Sequence, residues 1–301
     1  MAVFLHIGTH KTGTTSIQYY LNYRKAELLA QGILSPDAGK PEDYKFNGNH
    51  RLAWAVDLRK GETSTESWND LAEELEKTKH EKVVLSSEAF CKLNYEHIRQ
   101  VKQLLNGHEV FIVVYFRNYK SYFKSVYAQV VRNHRETRSF SEYVMSRPDL
   151  VDFDRILRSW GDHFGFDRLI VRIYDEVVSN GNLMTDFCKI IGFTPPENDP
   201  YFQLQRNISP DEQTIQALRL VNRCKANFPF FMKDITFKNL KDAFYHLKKG
   251  YSWQKRLFRF LARKRYFTSH SKQLIKSMTK DANQEILKKI VGEESMKYLD
   301  R

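Results

Sequence analysis

The sequence predicts an α/β protein: a P-loop-like central parallel β-sheet flanked by helices, with a helical C-terminal extension. Three observations carry this. Short continuous apolar runs alternate with amphipathic stretches through residues 1–200, as buried parallel strands joined by crossover helices require. The first run ends in a glycine-containing loop, "GTHKTGTTS" at 8–16, that leads into a helical pattern. After Pro200 convincing strands stop, and segments rich in lysine, arginine and aromatic residues take over.

The elements follow in order. "AVFLHI" (2–7) reads as a buried strand, with His6 as a satisfied core residue inside it. "TTSIQYYLNYRKAELLAQG" (14–32) reads as one amphipathic helix, with Ile17, Leu21, Leu28 and Leu29 at near-helical spacing and Gly32 past its end. His50 opens a further helix bearing Leu52, Ala53 and Val56. Helical stretches at 67–80 and 95–106 precede strands "KVVLSSEAF" (82–90) and "EVFIVVYFRN" (109–118). "RLIVRIYD" (168–175) is a fourth strand, and "NLMTDFCKIIGF" is a helix stopped by Gly192 and then by Pro195 and Pro196. Ser209 and Pro210 open another helix by capping chemistry. The expected organisation is a single domain over 1–301, with an α/β core at 1–200 and a basic helical extension at 201–301.

Composition narrows the class. A hydrophobic content of 42% in 301 residues fits a folded globular chain rather than a disordered one. Cys91, Cys188 and Cys224 have no metal-ligand or redox spacing, so they read as thiols of a reducing compartment. The first apolar run leads straight into the glycine loop, which makes it a strand and not a signal peptide. "VFIVVYF" at 110–116 is too short to span a bilayer. The expected location is cytoplasmic. Residues 211–301 carry 21 Lys+Arg against 9 Asp+Glu, which accounts for the whole net charge of +12. That excess points either to an anionic partner or to a solvated basic face.

The loop departs from a Walker motif in one instructive way. Gly8 and Gly13 keep the Walker spacing, but Thr14 follows the second glycine and the only lysine, Lys11, lies inside the loop. Backbone N–H groups at a helix start suit a phosphate, and Thr12, Thr14, Thr15 and Ser16 add hydroxyls. Lys11 starts from the loop crest, within reach of the bond between a bound phosphate and the group it carries. The strands end in Glu88, Arg117 and Asp175, which offers no obvious Walker B partner for magnesium. The pattern suggests a donor with its 5′-phosphate in the loop, a transferable group beyond it, and no metal.

A second signature is "YFRNYKSYFKSVYAQ" (115–129). Arg117 stands at a strand end, where ligands of open α/β sheets bind, and Ser125 follows eight residues later on a helix. A guanidinium and a hydroxyl so placed can grip a second phosphate.

With both signatures in one chain, the sequence resembles the sulfotransferases that use 3′-phosphoadenosine 5′-phosphosulfate (PAPS). "HKTGTTS" is similar to their 5′-phosphosulfate loop, and "RNYKSYFKSVY" to their 3′-phosphate motif, with Tyr119 where that motif has proline. "LSSEAF" and "RNISPDEQTIQALRLVN" resemble bacterial-type carbohydrate sulfotransferases more loosely. The resemblance implies a sulfotransferase domain that binds the 5′-phosphosulfate through Lys11, Thr12, Gly13, Thr14 and Thr15, with His10 and Ser16 beside them, and the 3′-phosphate through Arg117 and Ser125. It implies PAPS as cofactor, no metal, and a carbohydrate or glycolipid acceptor. The family's C-terminal glycine- and lysine-containing loop has no clear counterpart; "KKGYSWQKR" (248–256) is the nearest segment.

The base that activates the acceptor hydroxyl has two candidates. Glu88 ends a strand beside the loop, and burial would raise a carboxyl towards neutrality. His50 has the near-neutral chemistry that imidazole brings. Two other readings stay open. One is a magnesium-dependent P-loop phosphotransferase, which needs a lysine where Thr14 stands. The other is a non-catalytic anion-binding protein that meets a membrane surface through the cationic amphipathic segment 248–266. No nucleic-acid-binding signature is present, and no nucleic-acid partner is expected.

Overall fold

The computed structural model describes residues 1–9, 11–42, 47–57, 65–203, 211–227, 266–281 and 284–300. These divide into two compact units, each discontinuous in sequence: Met1–Asn118, Asp152–Arg206 and Asn283–Arg301 form the first, Tyr119–Val151 and Asn207–Ala282 the second.

The first unit is built on a five-stranded, fully parallel sheet. Its strands are β1 (Ala2–His6), β2 (Ile33–Leu34), β3 (Lys82–Ser86), β4 (Glu109–Phe116) and β5 (Leu169–Ile173), in the order β2-β3-β1-β4-β5. His6 of β1 pairs in register with Ser86 of β3 on one side and Val113 of β4 on the other. Three of the predicted strands sit in the middle because their residues are apolar on both faces. Val3, Leu5, Val83, Val84, Leu85 and Ile112–Phe116 have at most trace exposure, and each such side chain contributes about 1.5–3 kcal/mol on burial. From β1 the chain crosses to the β2/β3 side, and from β4 it goes to β5. The carboxyl ends of β1 and β4 therefore bound the topological switch point, where ligands of open α/β sheets enter.

Helices flank the sheet: α1 (Thr14–Tyr23), α2 (Lys25–Ala30), α3 (His50–Val56), α4 (Glu66–Lys77) and α5 (Tyr95–Leu104) precede β4. The single helix expected over 14–32 is two. The break falls at Arg24 (φ −100°, ψ 22°), whose guanidinium is held by the buried Asp199 at 3.0 Å and by Glu27 at 2.7 Å. The strand expected over 82–90 ends at Ser86, and residues 90–92 form a short 3-10 helix.

The two helices that follow β4 in the chain belong to the second unit. The first unit resumes with α8 (Phe153–Phe164), α9 (Tyr174–Asn180) and α10 (Leu183–Ile191). Gly192 ends α10 in the left-handed conformation, as the sequence predicts. Two C-terminal helices, α13 (Glu285–Val291) and α14 (Glu293–Asp300), complete the unit. The buried Asp154 of α8 accepts from the first amides of α13, Ile286 N at 2.9 Å and Leu287 N at 2.8 Å.

The second unit is helical: α6 (Tyr119–Asn133), α7 (Phe140–Met145), α11 (Glu212–Asn227) and α12 (Ser269–Asp281). Its core is aromatic, with Tyr127 against Phe140 (5.1 Å) and Tyr266 (5.2 Å). Ser139 and Glu142 form a capping box at α7. The C-terminal region is thus helical where it is described. Ser209 and residues 248–256 lie outside the described residues, and of 248–266 only Tyr266 falls within them.

Candidate active site

The glycine loop leaves the carboxyl end of β1 and enters α1 at Gly13. Gly8 (φ 47°) and Gly13 (φ 79°) are left-handed, and so is Lys11 (φ 70°). A side chain at Gly13 would run into Leu183 at the start of α10, so the backbone there must be bare. The threonines organise the loop from within. Thr9 Oγ1 donates to Tyr115 O (2.7 Å), Thr12 Oγ1 to Thr9 O (2.7 Å), and Thr14 Oγ1 reaches the same carbonyl at 3.4 Å. Thr12 and Thr14 are buried, whereas Thr15 is exposed and Ser16 half-buried. Two of the predicted ligand hydroxyls are therefore engaged in shaping the loop. His10 lies outside the described residues.

Arg117 stands one residue past β4, at the other side of the switch point. Its Nη1 donates to Lys11 O at 2.9 Å, and its guanidinium lies 5.4 Å from the Tyr174 ring centre. Nε is buried without a hydrogen-bond partner among the described residues. The next residue, Asn118, is locked from both sides. Its N–H donates to Asp175 Oδ2 (2.6 Å), and its side-chain amide donates to the carbonyls of Tyr298 (3.2 Å) and Leu299 (2.9 Å). Asp175, which ends the predicted fourth strand, is thus used as a backbone acceptor. Ser125 is buried on α6 in the second unit.

The third corner is the end of β3. Asn49 behaves as a surrogate strand partner there: its N–H donates to Ser86 O (2.9 Å) and its Oδ1 accepts from Ser86 N (3.0 Å). This fixes His50, which begins α3 as expected and is buried, with Nδ1 2.7 Å from Ser87 Oγ. Glu88 Oε2 is 3.9 Å from His50 Nδ1 and accepts from Gln18 Nε2 at 3.0 Å. Gly48 permits the approach, since a Cβ there would fall 2.6 Å from Gln18 Nε2 and 2.8 Å from Ser86 O. The Glu88 side chain is 29% exposed against 6% for His50, so the carboxylate is the more accessible of the pair.

His6, directly below, is wholly buried. Its Nδ1 meets Ser86 Oγ at 2.8 Å, but Nε2 has no hydrogen-bond partner among the described residues, so it is only half satisfied. Burial lowers its pKa to about 4, against a smaller opposite effect of Glu88, which keeps the ring neutral.

Lys11, Arg117, Glu88 and His50 are therefore brought to the carboxyl ends of adjacent strands β1, β4 and β3. Gln18, Ser87 and Tyr174 were not singled out from the sequence. Gln18 carried one signal: it sits four residues after Thr14, on the same helix face as a loop residue. Among the described residues, no group of three or more His, Cys, Asp or Glu is placed to hold a metal ion, and no helix is long and apolar enough to cross a membrane.

The fold and loop define an α/β protein with a parallel sheet and a P-loop-like turn at its switch point. No family model matches the sequence. A protein of Archaeoglobus fulgidus, described as uncharacterized, is 30% identical over 143 residues, which are 46% of this chain; the match spans 38% of that protein's length. A sulfotransferase from Alicyclobacillus acidocaldarius is similar in structure over 75% of this chain and 95% of its own, with a TM-score of 0.43 and 15% identity.

Proposed function

We propose that the chain is a single sulfotransferase domain that transfers a sulfuryl group from PAPS to a hydroxyl of a carbohydrate or glycoconjugate. The observation that carries this reading is the meeting of three elements at neighbouring strand ends: a left-handed glycine loop bearing Lys11, a guanidinium at Arg117, and the carboxylate of Glu88. The residues fit the donor. The loop is bare at Gly13, where a Cβ would intrude, and Arg117 keeps a buried N–H with no hydrogen-bond partner among the described residues.

Bound there, PAPS would supply a sulfuryl group on a leaving phosphate. Loop amides and the Lys11 ammonium would hold the 5′ end, and Arg117 the 3′-phosphate. Lys11 would offset negative charge at the leaving oxygen, an effect worth roughly 3–4 kcal/mol for a preorganised donor. Glu88, the more exposed of the pair, would take the acceptor proton, while His50 and Gln18 orient its carboxylate. The competing phosphotransferase reading needs an ammonium at position 14, and Thr14 instead turns its hydroxyl into the loop. A cytoplasmic location and an acceptor met by the basic C-terminal region belong to the same reading.

Incubation with sulfur-labelled PAPS and a panel of polysaccharides, glycolipids and small alcohols tests it. Label transferred to at least one glycan, and lost in the Lys11→Ala variant, supports the reading; label transferred to none of them, or transferred equally by that variant, rejects it.

A further inference from the structure

Lys11 occupies a backbone conformation that a lysine adopts only when its surroundings impose it. The surroundings are identifiable. The loop is fastened to the end of β4 at two points, Thr9 Oγ1 to Tyr115 O at 2.7 Å and Arg117 Nη1 to Lys11 O at 2.9 Å. The first holds the root of the loop and the second its crest. Thr12 and Thr14 tie the remaining turn to Thr9 O. Among these fastenings, the one from Arg117 reaches the residue with the strained backbone.

The same side chain faces two ways. A guanidinium is a planar fork with five N–H donors in fixed geometry, so one edge can be committed to protein while another is offered to a ligand. Here Nη1 is committed to Lys11 O, and Nε is buried with no partner among the described residues. Tyr174 lies against the guanidinium at 5.4 Å from its ring centre and limits its swing.

We propose that Arg117 is a positioning residue for the glycine loop as well as an anion ligand: it holds the Lys11 carbonyl, and through it links the 5′ and 3′ halves of the nucleotide site. The nucleotide part of this statement rests on the function proposed above; the loop part does not. Coupling through one side chain is reciprocal, so a ligand that fixes the guanidinium also fixes the loop, and the reverse.

Two measurements on the full chain decide it, each with wild type, Arg117→Ala and Arg117→Lys. The first is amide hydrogen exchange without ligand. Exchange at Thr12–Ile17 is expected to rise at least tenfold in both variants while β1 and β4 stay protected. Unchanged exchange in the loop overturns the proposal, and so does loss of protection throughout the sheet, because the arginine would then support the fold and not the loop.

The second is calorimetry with 3′,5′-ADP and with 5′-AMP, which lacks the 3′-phosphate. Arg117→Ala is expected to weaken both at least fivefold, and Arg117→Lys to recover part of the 3′,5′-ADP affinity but none of the 5′-AMP affinity. Weakening of 3′,5′-ADP alone, or of neither, overturns the linkage. If the wild type binds neither nucleotide, the sulfotransferase reading fails and so does the nucleotide linkage, while the exchange experiment alone decides the loop-positioning role.

Discussion

Glu88 Oε2 stands 3.9 Å from His50 Nδ1, and the two arrive by different routes: Glu88 two residues past the end of β3, His50 at the start of α3. The imidazole is held from behind by Ser87 Oγ, and the carboxylate from the side by Gln18 Nε2. In the proposed function this arrangement, with the carboxylate the more exposed, would give the two sequence candidates complementary parts: Glu88 as base and His50 as its support.

Glu88→Gln is expected to lower kcat by roughly 10²–10⁴, the usual worth of a positioned general base, while the affinity for 3′,5′-ADP stays within threefold. His50→Ala is expected to cost less in kcat. Steady-state kinetics beside a binding titration check both, and the reverse ranking would move the base to His50.

Lys11→Ala is expected to reduce turnover at least hundredfold, as loss of one preorganised charge donor does. Arg117 bonds the main-chain carbonyl of Lys11, which alanine keeps. The melting temperature is therefore expected to change by only a few degrees. Single-turnover kinetics and a thermal melt separate the two effects.

His6 makes stability depend on pH. Burial holds its folded pKa at about 4, below the ordinary 6.5, so the unfolded chain takes up the proton first as pH falls. Stability is expected to fall between about pH 6.5 and 4, by roughly 3 kcal/mol in all. Urea denaturation across that range reads the slope, which His6→Asn should flatten. The acid loss tied to Asp199 lies lower. Burial pushes that carboxyl up, but hydrogen bonds from Arg24, the Tyr201 amide and Tyr20 outweigh it and hold its pKa below the ordinary 3.8. Its contribution is present above the unfolded pKa and is lost as pH falls through the folded one.

Asp199→Ala is expected to destabilise the chain by about 3 kcal/mol, because it leaves Arg24 and the Tyr20 hydroxyl without their shared acceptor. Denaturation at neutral pH gives the value. The junction between α1 and α2 should loosen with it, visible as faster amide exchange around Arg24.

The readability of this sequence follows the range of the forces involved. β1, β3, β4 and β5, α3 and the stop of α10 at Gly192 were legible because apolar runs, amphipathic spacing and a left-handed glycine are local signals. The break at Arg24 was not, since its cause, Asp199, lies 175 residues away. The two-residue strand β2 is too short to carry a pattern. Likewise Arg117 and Glu88 stood out by residue type and strand-end position, Lys11 by its place in the glycine loop, and His50 by its imidazole at a helix start. Gln18 and Ser87 gained their roles only through contacts made across the fold, at sequence separations of 70 and 37. The engagement of Thr12 and Thr14 within the loop was equally hidden, because a hydroxyl's partner is not written in its neighbours.

In the proposed function, the loop and Arg117 together hold one adenosine nucleotide by two separate anionic ends. Titration calorimetry with 3′,5′-ADP in the presence of a chelator tests it most directly. Saturable one-to-one binding, at least tenfold tighter than that of 5′-AMP, is the expected result. No binding of 3′,5′-ADP, or binding only of ATP and only with magnesium, would contradict it.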